Sequence, residues 1–250
     1  MNMIWLNFAV LYFAMATAST GLPPGTVLPI MMGSSINAKN DKPGQKIEGK
    51  LMQEVQLPNG AVIKKGSKVT GQVISVQRPL RITLRFDQLQ DDGRTIPINV
   101  SLRALASSLD VFQAALPVDG IDTEQSNQWV TQQVGGEYVF RGRGYVSGED
   151  GKVAAWTGTG VVGKLGLGND CPDGEVNGQL QALWIFSTTA CKTYGFDGKL
   201  AIAQDGRAAP VGQITLQATG KDLLVRGGSG WLLLVNPPAS GNPVANGSSR

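Results

Sequence analysis

The sequence predicts an all-β fold of short antiparallel strands with at most one short helix. Three observations carry that expectation. Apolar residues recur at every second position through long stretches, the period of a strand with one face on a core. Glycine is abundant, 33 of 250 residues, and falls between runs of Val, Ile, Leu and Thr, where turns belong. Only Arg103 to Leu116 spaces its apolar residues as a helix does. The expected architecture is two barrel- or sandwich-like lobes, residues 21–116 and 136–236, joined by a polar connection at 117–135.

The elements follow in chain order. Ile4 to Met15 is apolar apart from Asn7, and Ala16-Thr17-Ala18 is a small-x-small triplet. Residues 1–18 therefore read as a secretory signal peptide cleaved before Ser19. The apolar run is shorter than the roughly 20 residues a spanning helix needs, so no stable transmembrane span is expected after cleavage. Thr26 to Met31 reads as a strand, and Pro29 marks it as an edge. Lys46 to Val55 alternates as a half-buried strand does, and Asn59-Gly60 is a strong hairpin signal. A turn at Lys65-Gly66-Ser67 precedes the strand through Val69 and Val73. In Arg81 to Phe86 the residues Ile82, Leu84 and Phe86 point inward, and Asp91-Asp92-Gly93 turns the chain onward.

Over Arg103 to Leu116, Leu105, Leu109, Phe112 and Leu116 are spaced 4, 3 and 4 apart. This stretch is a helix, or begins as a strand continuing from Val100. Tyr138 to Phe140, Ala182 to Phe186 and Ile214 to Leu216 read as strands. Asp222 to Val225 is expected to pair with Trp231 to Val235 across Gly227 to Gly230. Residues 237–250, rich in Pro, Gly, Ser and Asn, read as a disordered tail.

Composition narrows the function. The 22 basic and 19 acidic residues are scattered, which gives no basic stripe and no expectation of nucleic-acid binding. The chain has no histidine, which removes the commonest general base and the usual zinc ligand together. No catalytic residue, cofactor or metal site is expected. Cys171 and Cys191 are the two cysteines. In an oxidising compartment they read as a disulfide closing a loop of about 20 residues, worth roughly 3 kcal/mol. Two buried thiols or a redox pair are the alternatives, although the spacing is far from C-x-x-C.

Gly158 to Lys164 satisfies G-x-G-x-x-G, but Leu165 stands where a phosphate loop needs Ser or Thr. Gly166, Gly168 and Pro172 oppose the helix such a loop requires. Acids cluster at Asp87, Asp91 and Asp92, at Asp119, Asp122 and Glu124, and at Asp170, Asp173 and Glu175. They read as solvated turns; a carboxylate-dependent glycoside hydrolase would need two of them across one cleft. Trp184 and Trp231 lie in apolar runs and read as core. Trp156 and Trp129, in polar surroundings, are the candidate ligand-facing aromatics of a carbohydrate-binding module. Lys64, Lys65 and Lys68 read as a solvated edge that deters aggregation.

One stretch carries a family resemblance. Gly25-Thr26-Val27-Leu28-Pro29 opens it, Lys42-Pro43-Gly44 is its polar turn, and Val62 to Val73 closes it with Lys65-Gly66-Ser67 and Gly71. This pattern, over about residues 25–76, resembles the β-barrel module of the TrbI family, periplasmic scaffolds of conjugative type IV secretion channels. Lys64 stands where that family usually has Pro. The resemblance implies a barrel-like fold in the cell envelope. The remaining residues are similar to bacterial secreted proteins without assigned function. The expectation is a periplasmic or secreted, non-catalytic module that scaffolds or binds. Its partners would be other envelope proteins, further copies of itself, or glycan.

Overall fold

The computed structural model describes residues 21–117, 129–136, 138–141, 145–148, 151–155, 161–163 and 183–238. Its strands are β1 (Val27–Met32), β2 (Ile36–Asn37), β3 (Lys46–Leu51), β4 (Val55–Gln56), β5 (Val62–Ile63), β6 (Lys68–Gln77), β7 (Arg81–Asp91), β8 (Arg94–Pro97) and β9 (Val100–Ala106). After the helix α1 (Ser108–Ala114) come β10 (Trp129–Gln132), β11 (Tyr138–Arg141), β12 (Tyr145–Gly148), β13 (Gly151–Ala155) and β14 (Val161–Gly163). The chain ends with β15 (Lys192–Tyr194), β16 (Leu200–Gln204), β17 (Ile214–Ala218), β18 (Leu224–Val225) and β19 (Gly230–Val235).

One ten-stranded sheet dominates, in the order β15-β9-β19-β1-β3-β6-β7-β17-β16, with β8 attached to β7. It curls into a nearly closed barrel. Where its ends meet, Thr193 Oγ1 donates to Leu200 O at 2.9 Å and Leu102 N donates to Asp205 O at 2.7 Å. Asn236 ties the seam from the side, its Nδ2 donating to Asn99 Oδ1 and to Gly206 O. Closure of this kind removes exposed sheet edges.

The sheet does not divide where the sequence suggested. Strands from both sides of residues 117–135 share it: β19 lies between β9 and β1, and β17 pairs with β7. Two lobes at 21–116 and 136–236 are therefore not what the described residues form. The C-terminal apolar strands β17 and β19 find their neighbours in the N-terminal half. The intervening β10-β11-β14 and β12-β13 form small sheets of their own.

The barrel interior is a single apolar cluster around Leu28, Ile30, Ile82, Leu84, Phe86, Leu102, Leu216 and Leu233. Phe86 and Trp231 meet edge-to-face in it, with centroids 5.8 Å apart. Trp231, fully buried as expected, satisfies its indole N–H on Ser229 Oγ at 2.9 Å. Bulges keep apolar side chains inward where simple alternation would turn them out. The β19–β9 register shifts at Leu232/Leu233, so Leu102 and Leu105 both reach the core. A shift between Thr70 and Gly71 does the same for Phe86 and Leu89 on β7. At Gly71 any β-carbon would stand 2.0 Å from Arg85 O, which makes glycine obligatory there.

Several expectations change. Pro29 does not lie on an edge, because β1 is paired on both sides. Its carbonyl accepts from Met52 N just beyond the end of the β3 ladder, so the missing N–H falls where no ladder bond is required. Of the Ala182 to Phe186 run, the described residues 183–186 are not a strand; Leu183 and Phe186 form isolated bridges around a turn in which Trp184 has φ 58°. β18 pairs with β2 and not with β19. Gly228 N donates to Met32 O and Gly227 N to Ser35 Oγ, which redirects the chain between them. The helix is shorter than its apolar spacing implied: Leu105 belongs to β9, while Leu109, Phe112 and Leu116 are exposed. Ser107 caps the helix, accepting from Asp110 N, and ends the β9 strand.

Candidate binding surface

Two grooves and one helix face stand out on the described surface. The first groove, of about 500 Å³, runs between β4 with its flanks, Gln53 to Pro58, and the segment Pro23 to Val27. The Asn59-Gly60 turn expected from the sequence closes the β4–β5 hairpin: Leu57 N donates to Ala61 O at 2.8 Å, and Gly60 has φ 79°. Gln53 anchors the other end of β4. It is buried, and its Oε1 accepts from Trp184 N, which ties the hairpin to the turn at 183–186. Leu183 completes the groove lining, and Glu54 is its single charged residue among the described residues.

The second groove, of about 410 Å³, lies between the turns Lys64 to Lys68 and Asp91 to Arg94. Buried Asp91 joins the turns. It accepts from Ser67 Oγ at 2.6 Å, Lys64 N at 3.1 Å and Arg94 Nη2 at 3.2 Å. Burial by itself would raise its pKa. The hydrogen bonds from Ser67, Lys64 and Arg94, with the Arg94 charge, outweigh burial and hold the carboxyl below its ordinary range. Lys64 pairs with Asp92 at 3.0 Å and Lys68 with Glu48 at 3.5 Å, both exposed. The Asp87, Asp91 and Asp92 acids are thus engaged by local partners, Asp87 lying 4.0 Å from Arg85. Among the described residues no three His, Cys, Asp or Glu side chains are grouped to hold a metal ion.

The third feature is α1, which packs Val111 and Ala114 toward the barrel while leaving Leu109 and Phe112 61% and 62% exposed. Asp110 lies beneath it. Its Oδ2 is buried without a hydrogen-bond partner, fitting into the space left by Gly195, where any β-carbon would be 2.0 Å away. Burial, reinforced by the charge of Asp197 and opposed by the Ser107 hydrogen bond, raises the Asp110 pKa.

The residues singled out from the sequence fall differently. Cys171 and Trp156 lie outside the described residues, as do the acid clusters at 119–124 and 170–175; of the Gly158 to Lys164 motif only Val161–Gly163 is described, as strand β14 beside β11. Trp129 sits at the start of β10, paired with Arg141. Cys191 is 9% exposed at the edge of the layer that covers β9, and its N–H donates to Tyr194 Oη at 3.0 Å. Trp184 is half-buried and stacks edge-to-face on Phe186 at 6.4 Å. Sequence reasoning passed over the β4 groove, because its two walls are separated by about 30 residues and neither carries a chemical motif. Its available signal was the Pro23-Pro24 pair, which supplies no backbone donor. No family model matches the chain, and no curated protein is significantly similar to it.

Proposed function

We propose that this chain is an exported, non-catalytic β-barrel module that binds or scaffolds other macromolecules of the cell envelope. The exposed apolar stripe of Leu109 and Phe112 on α1, with Leu116 just beyond its end, is the observation that carries this reading. Contiguous exposed apolar side chains of this kind favour contact surfaces, and the barrel beneath provides a rigid mount. Engagement of Asp87, Asp91 and Asp92 by Arg85, Arg94, Ser67 and Lys64 favours binding over turnover. The apolar run at 4–15 followed by Ala16-Thr17-Ala18 supports export. A bridge between Cys171 and Cys191 is part of the same reading, and non-reducing peptide mapping of the exported protein would detect it.

Crosslinking in intact cells followed by purification tests the reading. A large assembly containing this chain, in a fraction outside the cytosol, is the expected result. A strictly monomeric chain with no co-purifying macromolecule would overturn it.

A further inference from the structure

The outer edge of β4 has spare backbone groups, and the hairpin's own bonds determine which. Leu57 N donates to Ala61 O, so Leu57 and Ala61 turn their amides toward each other, as do Val55 and Ile63 two residues along. Gln56 lies between those pairs and turns its N–H and C=O the other way, onto the side where the 500 Å³ groove opens. Along Pro23 to Thr26 the opposite wall has no backbone N–H free to meet the Gln56 carbonyl. Pro23 and Pro24 have no N–H, Gly25 N is committed to Val235 O at 2.9 Å, and Thr26 N to Pro23 O at 3.2 Å.

We propose that this groove receives an extended peptide segment of a partner protein, which adds to β4 as a further strand. The inference rests on the contact-module reading and names the chemistry of one partner. A second main chain offers a donor and an acceptor at strand spacing, which neither a glycan nor a lipid headgroup repeats in register. From Glu54 to Leu57 the edge spans about 10 Å at roughly 3.3 Å per residue, so about four residues of partner lie along it. Apolar side chains of the segment face Leu57, Pro23 and Leu183. Glu54, exposed and the sole charge in the lining among the described residues, selects a Lys or Arg at one end.

Selection of random octapeptides displayed on phage against the immobilised full chain tests the proposal. The expected result is enrichment of sequences that alternate apolar and polar residues and carry a Lys or Arg. Gln56→Pro removes the outward N–H without breaking a bond to β5, since edge strands tolerate proline; enrichment should fall at least tenfold. Glu54→Lys should move the enriched charge from Lys or Arg to Asp or Glu, and it decides the matter should Gln56→Pro melt differently from the native chain. No enrichment over a blank surface would overturn the proposal. So would selection of the same sequences by the native chain and both variants, or enriched sequences that match a stretch of this chain itself. If crosslinked assemblies persist unchanged in both variants, the groove is excluded while the contact-module reading stands; absence of any assembly removes that reading instead.

Discussion

The β6–β7 wall and the β1–β19–β9 wall belong to the same barrel but read differently in sequence, and the difference shows what each wall faces. On β7, buried Ile82, Leu84 and Phe86 alternate with the partly exposed Arg81, Thr83 and Arg85. That wall has the core on one side and water on the other. On β19 the run Trp231-Leu232-Leu233 is buried throughout. Trp231 and Leu233 enter the barrel, while Leu232 joins a second cluster outside it with Ala104, Ala106, Ala114, Val134, Ile185 and Phe186. A layer of α1, Val134 and residues 183–190 covers this wall. Val134 N donates to Ile185 O, and Arg103 Nε fastens Ala190 O to β9. A strand that is apolar on both faces announces a covering layer, as it does in sheets packed on both sides.

The largest effect should come from placing a charge under that layer. Leu232→Lys buries an unpaired ammonium at a position with no exposure and should cost about 3–5 kcal/mol. Thr83→Lys on the solvated wall should change stability by no more than about 1 kcal/mol, chiefly through the Thr83–Thr215 hydroxyl bond at 3.0 Å. Urea unfolding of both variants measures the contrast, and similar losses would mean that the second wall is not covered in solution.

Gly71→Ala tests the bulge on the solvated wall. Its methyl would meet the Arg85 carbonyl, so a loss of about 1–3 kcal/mol is expected, with the β6–β7 amides exchanging faster. A neutral outcome would show that the ladder can shift at this point.

Two acids at different elements should respond to pH with opposite signs. The Asp91 pKa is lowered in the folded chain from an ordinary value of 3.8. Its stabilisation is therefore present above that value and lost as pH falls through the folded pKa. Asp91→Asn should cost about 1–3 kcal/mol at neutral pH and flatten the acid limb of the stability curve. The Asp110 pKa is raised, so its contribution is complete below the ordinary value and lost as pH rises through the folded pKa. Asp110→Asn should leave stability at pH 4 nearly unchanged and increase it at pH 7. Urea midpoints between pH 3 and 8 separate the two, and matching slopes would refute the assignment.

The smallest effect is expected at the exposed helix face. Phe112→Ser should alter stability by about 0.5 kcal/mol or less, because the ring packs on little. Its consequence should appear in the yield of crosslinked assembly, and an unchanged yield would move the contact surface elsewhere.

Much of the first half was legible because the governing interactions are local. Gly60, Asp92 and Gly93 sit at positive φ, where their turns were expected, and Ile82, Leu84 and Phe86 turn inward as their period required. The apolar spacing of Leu105, Leu109, Phe112 and Leu116 misled. The first belongs to a strand, Leu109 and Phe112 to a helix that turns them outward and Leu116 to the residues just after it, so periodicity reported an apolar stripe without reporting its partner. The Ser67–Asp91 bond and the β4 groove were not legible, since each joins residues 24 or more apart through contacts that no spacing rule encodes.

By itself, the amino-acid order determined an all-β chain with its turns and strand faces, because turn chemistry and period-two alternation act over a few residues. Only the tertiary structure decided that β17 and β19 enter the same sheet as β1 to β9, that Pro29 sits inside that sheet, and which wall receives a second layer. Those outcomes depend on which distant edges pair, and strand pairing is satisfied by any compatible backbone until closure of the whole barrel selects one set.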